Sequence, residues 1–192
     1  MTAAPGSGKT AVLGLVSALT HPDRRPMVPV DTIGLPPDAV PAVGAVDVAV
    51  YAQNLTTDQV LRGIAAGARV PAETPGALLD ALTTPVTVLI DALDEAADPH
   101  DLVLRLLRPL ADHAAGRLRL LVGTRPHLLA DLGLRRDGSV DLDASRYADL
   151  DALTAYSARC LRESAAESPY RDRPHAPRAR GGGGAAGAPP PG

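Results

Sequence analysis

The sequence predicts an α/β fold, a parallel sheet with helices on both faces, and three observations carry that expectation. Two short runs, VTVLI at 86–90 and LRLLVG at 118–123, read as strands buried on both faces. Around them the apolar residues recur at helical spacing. Strands separated by helices need crossover connections, and those build parallel sheets. The third observation is a glycine-rich segment, AAPGSGKT at 3–10, which opens directly into a helical pattern.

Composition narrows the class. At 192 residues the chain can bury one substantial core. Its four tyrosines, with no Phe or Trp, leave that core aliphatic and make base stacking on aromatic platforms a poor expectation. A net charge of −3 offers no general attraction for nucleic acid. No window approaches the ~20 apolar residues of a membrane span, and the N-terminus lacks a signal-peptide layout. One cysteine, Cys160, cannot form an internal disulfide, which suits a reducing cytoplasm. Of the 19 basic residues only Lys9 is a lysine, and it sits inside the glycine-rich segment.

Taken in order, the elements are these. Lys9 to Leu19 is helical, with an apolar stripe of Val12, Leu13, Leu15, Val16 and Leu19. Residues 21–45, rich in Pro and Gly, read as loop. VDVAVYA at 46–52 is a strand. Thr56 and Gln59 form a capping box for a helix to about Ala66. Thr74-Pro75 starts another helix over GALLDAL. After the strand at 86–90, Asp98-Pro99 opens a helix burying Leu102, Val103, Leu106, Leu107 and Leu110, which Pro109 should kink. The strand at 118–123 follows, then a short helix near 127–132, a strand at 139–142 and a helix at about 147–162 that turns Cys160 inward. Residues 163–192 are mostly Gly, Pro and Ala with scattered arginines, so they read as a disordered tail after a core at 1–162.

The segment at 3–10 fits the phosphate-binding pattern G-x-x-x-x-G-K-[ST] except that Ala3 replaces the first glycine, which requires a negative φ there. Pro5, Gly6, Ser7, Gly8, Lys9 and Thr10 are the expected nucleotide-binding residues. Gly6 and Gly8 let backbone N–H groups turn around phosphate oxygens, and the helix starting at Lys9 adds its positive end. Lys9 would meet the β- and γ-phosphates, and the Thr10 hydroxyl would bind Mg²⁺. In VTVLIDALDEA, Asp91 ends a buried strand in the crevice where parallel sheets bind ligands, so it is the second expected Mg²⁺ residue. Asp94 and Glu95 are the candidates to orient or deprotonate water; the alternative is a solvated acidic helix start. LRLLVGTRP ends in Thr124 and Arg125, suited to sensing the γ-phosphate, unless Arg125 merely pairs with Asp94 or Glu95. The histidines show no metal-ligand spacing, so zinc is unsupported.

Together the loop, the strand ending in DALDEA with a small Ala92 after its first aspartate, and the strand ending in TRP resemble the NACHT group of signal-transduction NTPases (STAND class), over roughly residues 2–162. The resemblance implies a P-loop NTPase fold, a Walker A loop over Gly6 to Thr10, Walker B at Asp91, a catalytic acidic pair at Asp94 and Glu95, and a sensor arginine at Arg125. It also implies an ATP/ADP switch with Mg²⁺, slow hydrolysis, self-association when ATP is bound, and downstream repeat or effector domains in a larger protein.

The chain departs from that pattern at both ends. Only Met1 and Thr2 stand ahead of the loop, where the family has a strand lying centrally beside the sensor strand, and the family's winged-helix region is replaced by the tail. The expectation is a real site cut at both ends, as by a misplaced start or in a gene fragment, with a strand borrowed from a partner as the other possibility. Residues 1–192 alone would then be aggregation-prone or partly molten until an upstream apolar strand is restored. Functionally, the leading expectation is an ATPase. The alternatives are a non-catalytic, nucleotide-dependent interaction module or an inactive fragment, and a P-loop kinase is a weaker third.

Overall fold

The computed structural model describes residues 1–134 and 139–147, all within the first of the chain's two units, Met1–Ala148. The helix expected at 147–162, Cys160 and the tail at 163–192 lie outside the described residues. Three strands, β1 (Val48–Tyr51), β2 (Val86–Asp91) and β3 (Leu118–Val122), form a sheet in the order β1-β2-β3. Both pairings are parallel, with Val48 opposite Val88 and Leu118 opposite Val86. The α/β expectation holds at this level.

Each strand's burial follows from its place in the sheet. β2 is central, and every residue except Thr87 is buried, as its unbroken apolar run requires. In β1, Val48 and Val50 face the core while Ala49 and Tyr51 face outward. β3 departs from expectation: only Leu118 is buried, and Leu120, Leu121 and Val122 are half-exposed. The reason lies along its outer edge. There the chain's own start pairs with β3 only at its end, where the Met1 amino group donates to Val122 O at 2.7 Å and Thr124 N–H to Met1 O at 3.1 Å. Beside the rest of β3 runs a cavity of about 470 Å³ lined by Leu107, Leu118, Leu120, Val122 and Leu129 among others.

Thr2 makes single parallel bridges to Thr124 on one side and Asp141 on the other. Its N–H donates to Val140 O at 2.7 Å, and Leu142 N–H donates to Thr2 O at 2.9 Å. The strand expected at 139–142 is therefore a single bridge between Asp141 and Thr2, and not a ladder.

Helices flank the sheet. α1 (Lys9–Thr20) buries Leu13 and Leu19 but leaves Val12 37% exposed, so its stripe is only partly used. The expected loop at 21–45 holds single helical turns, one of them α2 (Val30–Ile33). α3 (Thr57–Ala68) starts with the capping box intact: Gln59 N–H donates to Thr56 Oγ1, and Gln59 Oε1 accepts from Thr56 N–H. α4 (Pro75–Ala81) is capped by Thr74, whose hydroxyl oxygen accepts from Ala77 N–H.

The helix after Asp98 is not simply kinked. It runs as α5 (Pro99–Leu102), widens to a π-helical stretch at Val103–Leu107, and resumes as α6 (Arg108–His113). Pro109 lacks an N–H, and its ring crowds the carbonyl four residues back; a wider turn just before it relieves both. Leu102, Val103, Leu106, Leu107 and Leu110 consequently all stay fully buried. A 3₁₀ turn at Pro126–Leu128 replaces the short helix expected at 127–132.

Candidate functional site

The glycine-rich loop has the backbone that its sequence demands. Gly6 and Gly8 lie in the left-handed region, with φ of 84° and 79°. Only glycine adopts that conformation without strain. Ala3 keeps a negative φ and is 1% exposed, so the missing first glycine costs nothing at that position. α1 begins at Lys9 with no acidic residue in its first turn and no side-chain cap among the described residues. Its first N–H groups are therefore not taken by a capping side chain, the arrangement that suits an anion.

Around the loop is a pocket of about 280 Å³. Pro5, Gly6, Ser7, Gly8, Lys9 and Thr10 line it together with Asp94, Glu95 and Arg125. All nine sequence-predicted residues of the loop, the acidic pair and the sensor position thus meet in one place. They do so because β2 and β3 run parallel and end at the same edge of the sheet.

Asp94 is the electrostatic centre. Lys9 Nζ lies 3.1 Å from its Oδ1, and Arg125 Nε lies 2.8 Å from its Oδ2. The side chain of Asp94 is 1% exposed, so two cations compensate one buried carboxylate. The pairing of Arg125 with Asp94 that the sequence left open is present. Glu95 differs: it is exposed, and Gln53 Nε2 donates to its Oε2 at 2.8 Å.

The turn that separates Asp91 from this acidic pair has a definite cause. Ala92 follows Asp91 with φ 56°, its N–H donates to Asp91 Oδ1 at 2.8 Å, and Leu93 N–H donates to Gly123 O at 3.1 Å. Asp91 itself does not line the loop pocket. It lies behind, bordering a second cavity of about 230 Å³ that Thr10 also borders. The two expected Mg²⁺ residues thus share a cavity. Mg²⁺ takes few protein ligands and keeps waters and phosphate oxygens, so one hydroxyl and one carboxylate are a sufficient donor set. Among the described residues no group of three or more His, Cys, Asp or Glu is placed to hold a metal by itself.

Thr124 is not where it was expected. It is 1% exposed, its hydroxyl has no partner among the described residues, and it borders the cavity beside β3 instead of the loop pocket. Alternate residues of an extended chain face opposite ways, so Arg125 and Thr124 cannot both serve one site.

Three contributors escaped the sequence reading. Gln53 fixes Glu95. Gly123 lets α1 approach: a Cβ there would sit 2.2 Å from Leu13 Cδ1 and 2.8 Å from Asp91 Oδ1. A glycine closing an apolar strand was the available signal. Asp143 accepts from Ala4 N–H and from the Ser7 hydroxyl, and these bonds, the Ser7 bond foremost, hold its carboxyl below the usual range. Nothing local in the sequence marks it.

Among the described residues no helix is long and apolar enough to cross a membrane. Compared with known proteins, the chain matches no family model, no curated protein and no solved structure.

Proposed function

We propose that the chain binds ATP with Mg²⁺ in the loop pocket and hydrolyses it slowly, as the switch module of a larger P-loop signalling NTPase. The observation that supports this best is the convergence of Lys9, Arg125, Asp94 and Glu95 on a loop whose two glycines adopt left-handed conformations. In this reading the loop N–H groups and Lys9 receive the phosphate chain. Thr10 and Asp91 hold Mg²⁺, which when bound neutralises phosphate charge. Arg125 stands at the γ-phosphate end. Glu95, oriented by Gln53, is exposed to the pocket and serves as the group that positions or deprotonates water. Asp94 holds the two cations side by side, so each must turn from a carboxylate to a phosphate before chemistry, which fits slow turnover. ATP-dependent self-association and contacts with repeat or effector domains belong to the same reading, through the NACHT resemblance.

Labelled-ATP binding to the wild-type chain and to Lys9→Ala tests the proposal. Wild-type binding that is lost in the variant supports it; equal affinity in both sinks it.

A second reading, a nucleotide-dependent interaction module without hydrolysis, is favoured by one fact: the Asp94 carboxylate is ion-paired with both Lys9 and Arg125. Single-turnover hydrolysis separates the two. A rate that Glu95→Gln abolishes excludes the non-catalytic version.

A further inference from the structure

The pocket walls come from the ends of β2 and β3, but the loop's shape is held from a third place. Asp143 belongs to the segment that follows β3 and its turn. One of its carboxylate oxygens accepts from Ala4 N–H and the other from the Ser7 hydroxyl. Ala4 and Ser7 are the two ends of the turn that carries Gly6, closed otherwise by a long Ser7 N–H to Ala4 O bond of 3.3 Å. The same segment grips the chain just ahead of the loop, through Thr2 N–H to Val140 O and Leu142 N–H to Thr2 O. Residues 140–143 therefore hold the loop at Thr2, Ala4 and Ser7 in succession.

This brace answers a physical need. A loop with glycine at two positions, Gly6 and Gly8, has more backbone freedom than one without, and ordering it on binding weakens affinity. A carboxylate is suited to the task because its two oxygens accept from two donors at once. Asp143 does not border the loop pocket, so it holds the turn from outside and leaves the cradle to the ligand. We propose that Asp143 is a positioning residue that preshapes the phosphate loop. Its effect on affinity rests on the nucleotide reading above, whereas its effect on loop order does not.

Three single variants, Asp143→Ala, Asp143→Asn and Ser7→Ala, and the Ser7→Ala, Asp143→Ala double variant are compared with wild type by amide hydrogen exchange over residues 3–9, Mg-ATP calorimetry and thermal unfolding. Because Asp143 is exposed, its variants should keep a cooperative melt close to that of wild type. Loop exchange should rise and Mg-ATP affinity fall, each roughly tenfold, in Asp143→Ala. Asn has one acceptor oxygen for two donors, so it should recover only part of the loss. In loop exchange the Ser7→Ala, Asp143→Ala double variant should be no worse than Asp143→Ala alone, because Ser7→Ala removes a bond that Asp143→Ala has already removed. Unchanged loop exchange in Asp143→Ala overturns the proposal whatever ATP does. So does faster exchange with undiminished affinity in a wild type that binds. Faster exchange in a chain whose wild type shows no ATP binding keeps the brace and overturns the nucleotide reading instead.

Discussion

Lys9 Nζ lies 3.1 Å from Asp94 Oδ1, so the only lysine of the chain is held by a carboxylate with almost no exposure of its own. The same carboxylate holds Arg125 through its other oxygen. In the nucleotide reading, a phosphate entering the pocket would compete with Asp94 for both cations. Stability and affinity are therefore set against each other at this residue.

The first prediction follows. Asp94→Asn removes the charge that compensates Lys9 and Arg125 and should lower stability by ~1–3 kcal/mol, below the full cost of breaking a buried pair because Arg125 is partly exposed. It should tighten ATP binding, because the competitor is gone. Denaturant unfolding and ATP titration on the same variant give the two signs. Weaker binding alongside lower stability would mean that Asp94 cooperates with the ligand.

Gly123 supplies the second prediction. Gly123→Ala puts a methyl 2.2 Å from Leu13 Cδ1 and 2.8 Å from Asp91 Oδ1, so both side chains must shift to admit it. Overpacking of this kind costs ~1–3 kcal/mol. α1 would be pushed from the sheet, taking Lys9 and Thr10 with it, so ATP affinity should fall as well. Pairing the change with Leu13→Ala removes the closer of the two clashes. Urea melts of the single and double variants check this: a Gly123→Ala chain as stable as wild type refutes the close approach.

Ala92 carries the third. At φ 56° and ψ 39° it occupies the left-handed region, buried at the turn between Asp91 and the acidic pair. That conformation costs a non-glycine residue ~1–2 kcal/mol, part of which glycine gives back through greater freedom in the unfolded chain. Ala92→Gly should raise stability by ~0.5–1 kcal/mol without weakening ATP binding. A destabilised variant would show that the methyl packs better than the backbone is strained.

What could be read in the sequence was decided locally. Thr56 with Gln59, Thr74 with Pro75, and Asp98 with Pro99 each carry their own capping chemistry, and each starts a helix where expected. The unbroken apolar run of β2 likewise declared a central strand. β3 reads the same way in sequence yet is half-exposed, because burial depends on what lies across its outer edge. The loop and the acidic pair were legible through spacing, but their partners were not. Asp143 reaches Ala4 across 139 positions of chain, and no periodicity encodes such a contact. Asp91 and Asp94 are three residues apart, and the left-handed turn at Ala92, which no sequence pattern marks, sends one behind the loop and the other into it.

The last prediction concerns pH. Hydrogen bonds from Ser7 first and Ala4 second favour the ionised form of Asp143 and depress its pKa below the ordinary value of 3.8. A carboxyl depressed in the folded state binds fewer protons there than in the unfolded chain. Its contribution is therefore complete above the unfolded value and is lost as pH falls through the folded one. From pH 5 to 8 the brace should be constant, so any change in ATP affinity over that range must come from other groups. Below pH 3.8 the loop amides should begin to lose protection relative to their intrinsic exchange rate, which itself slows as pH falls. A carbon-detected NMR titration of the Asp143 carboxyl reads this directly. Its midpoint should lie below 3.8 in wild type and move upward in Ser7→Ala, since the larger of the two causes has been removed. A midpoint that ignores Ser7 would show that the hydroxyl points elsewhere in solution, and the brace would then rest on Ala4 alone.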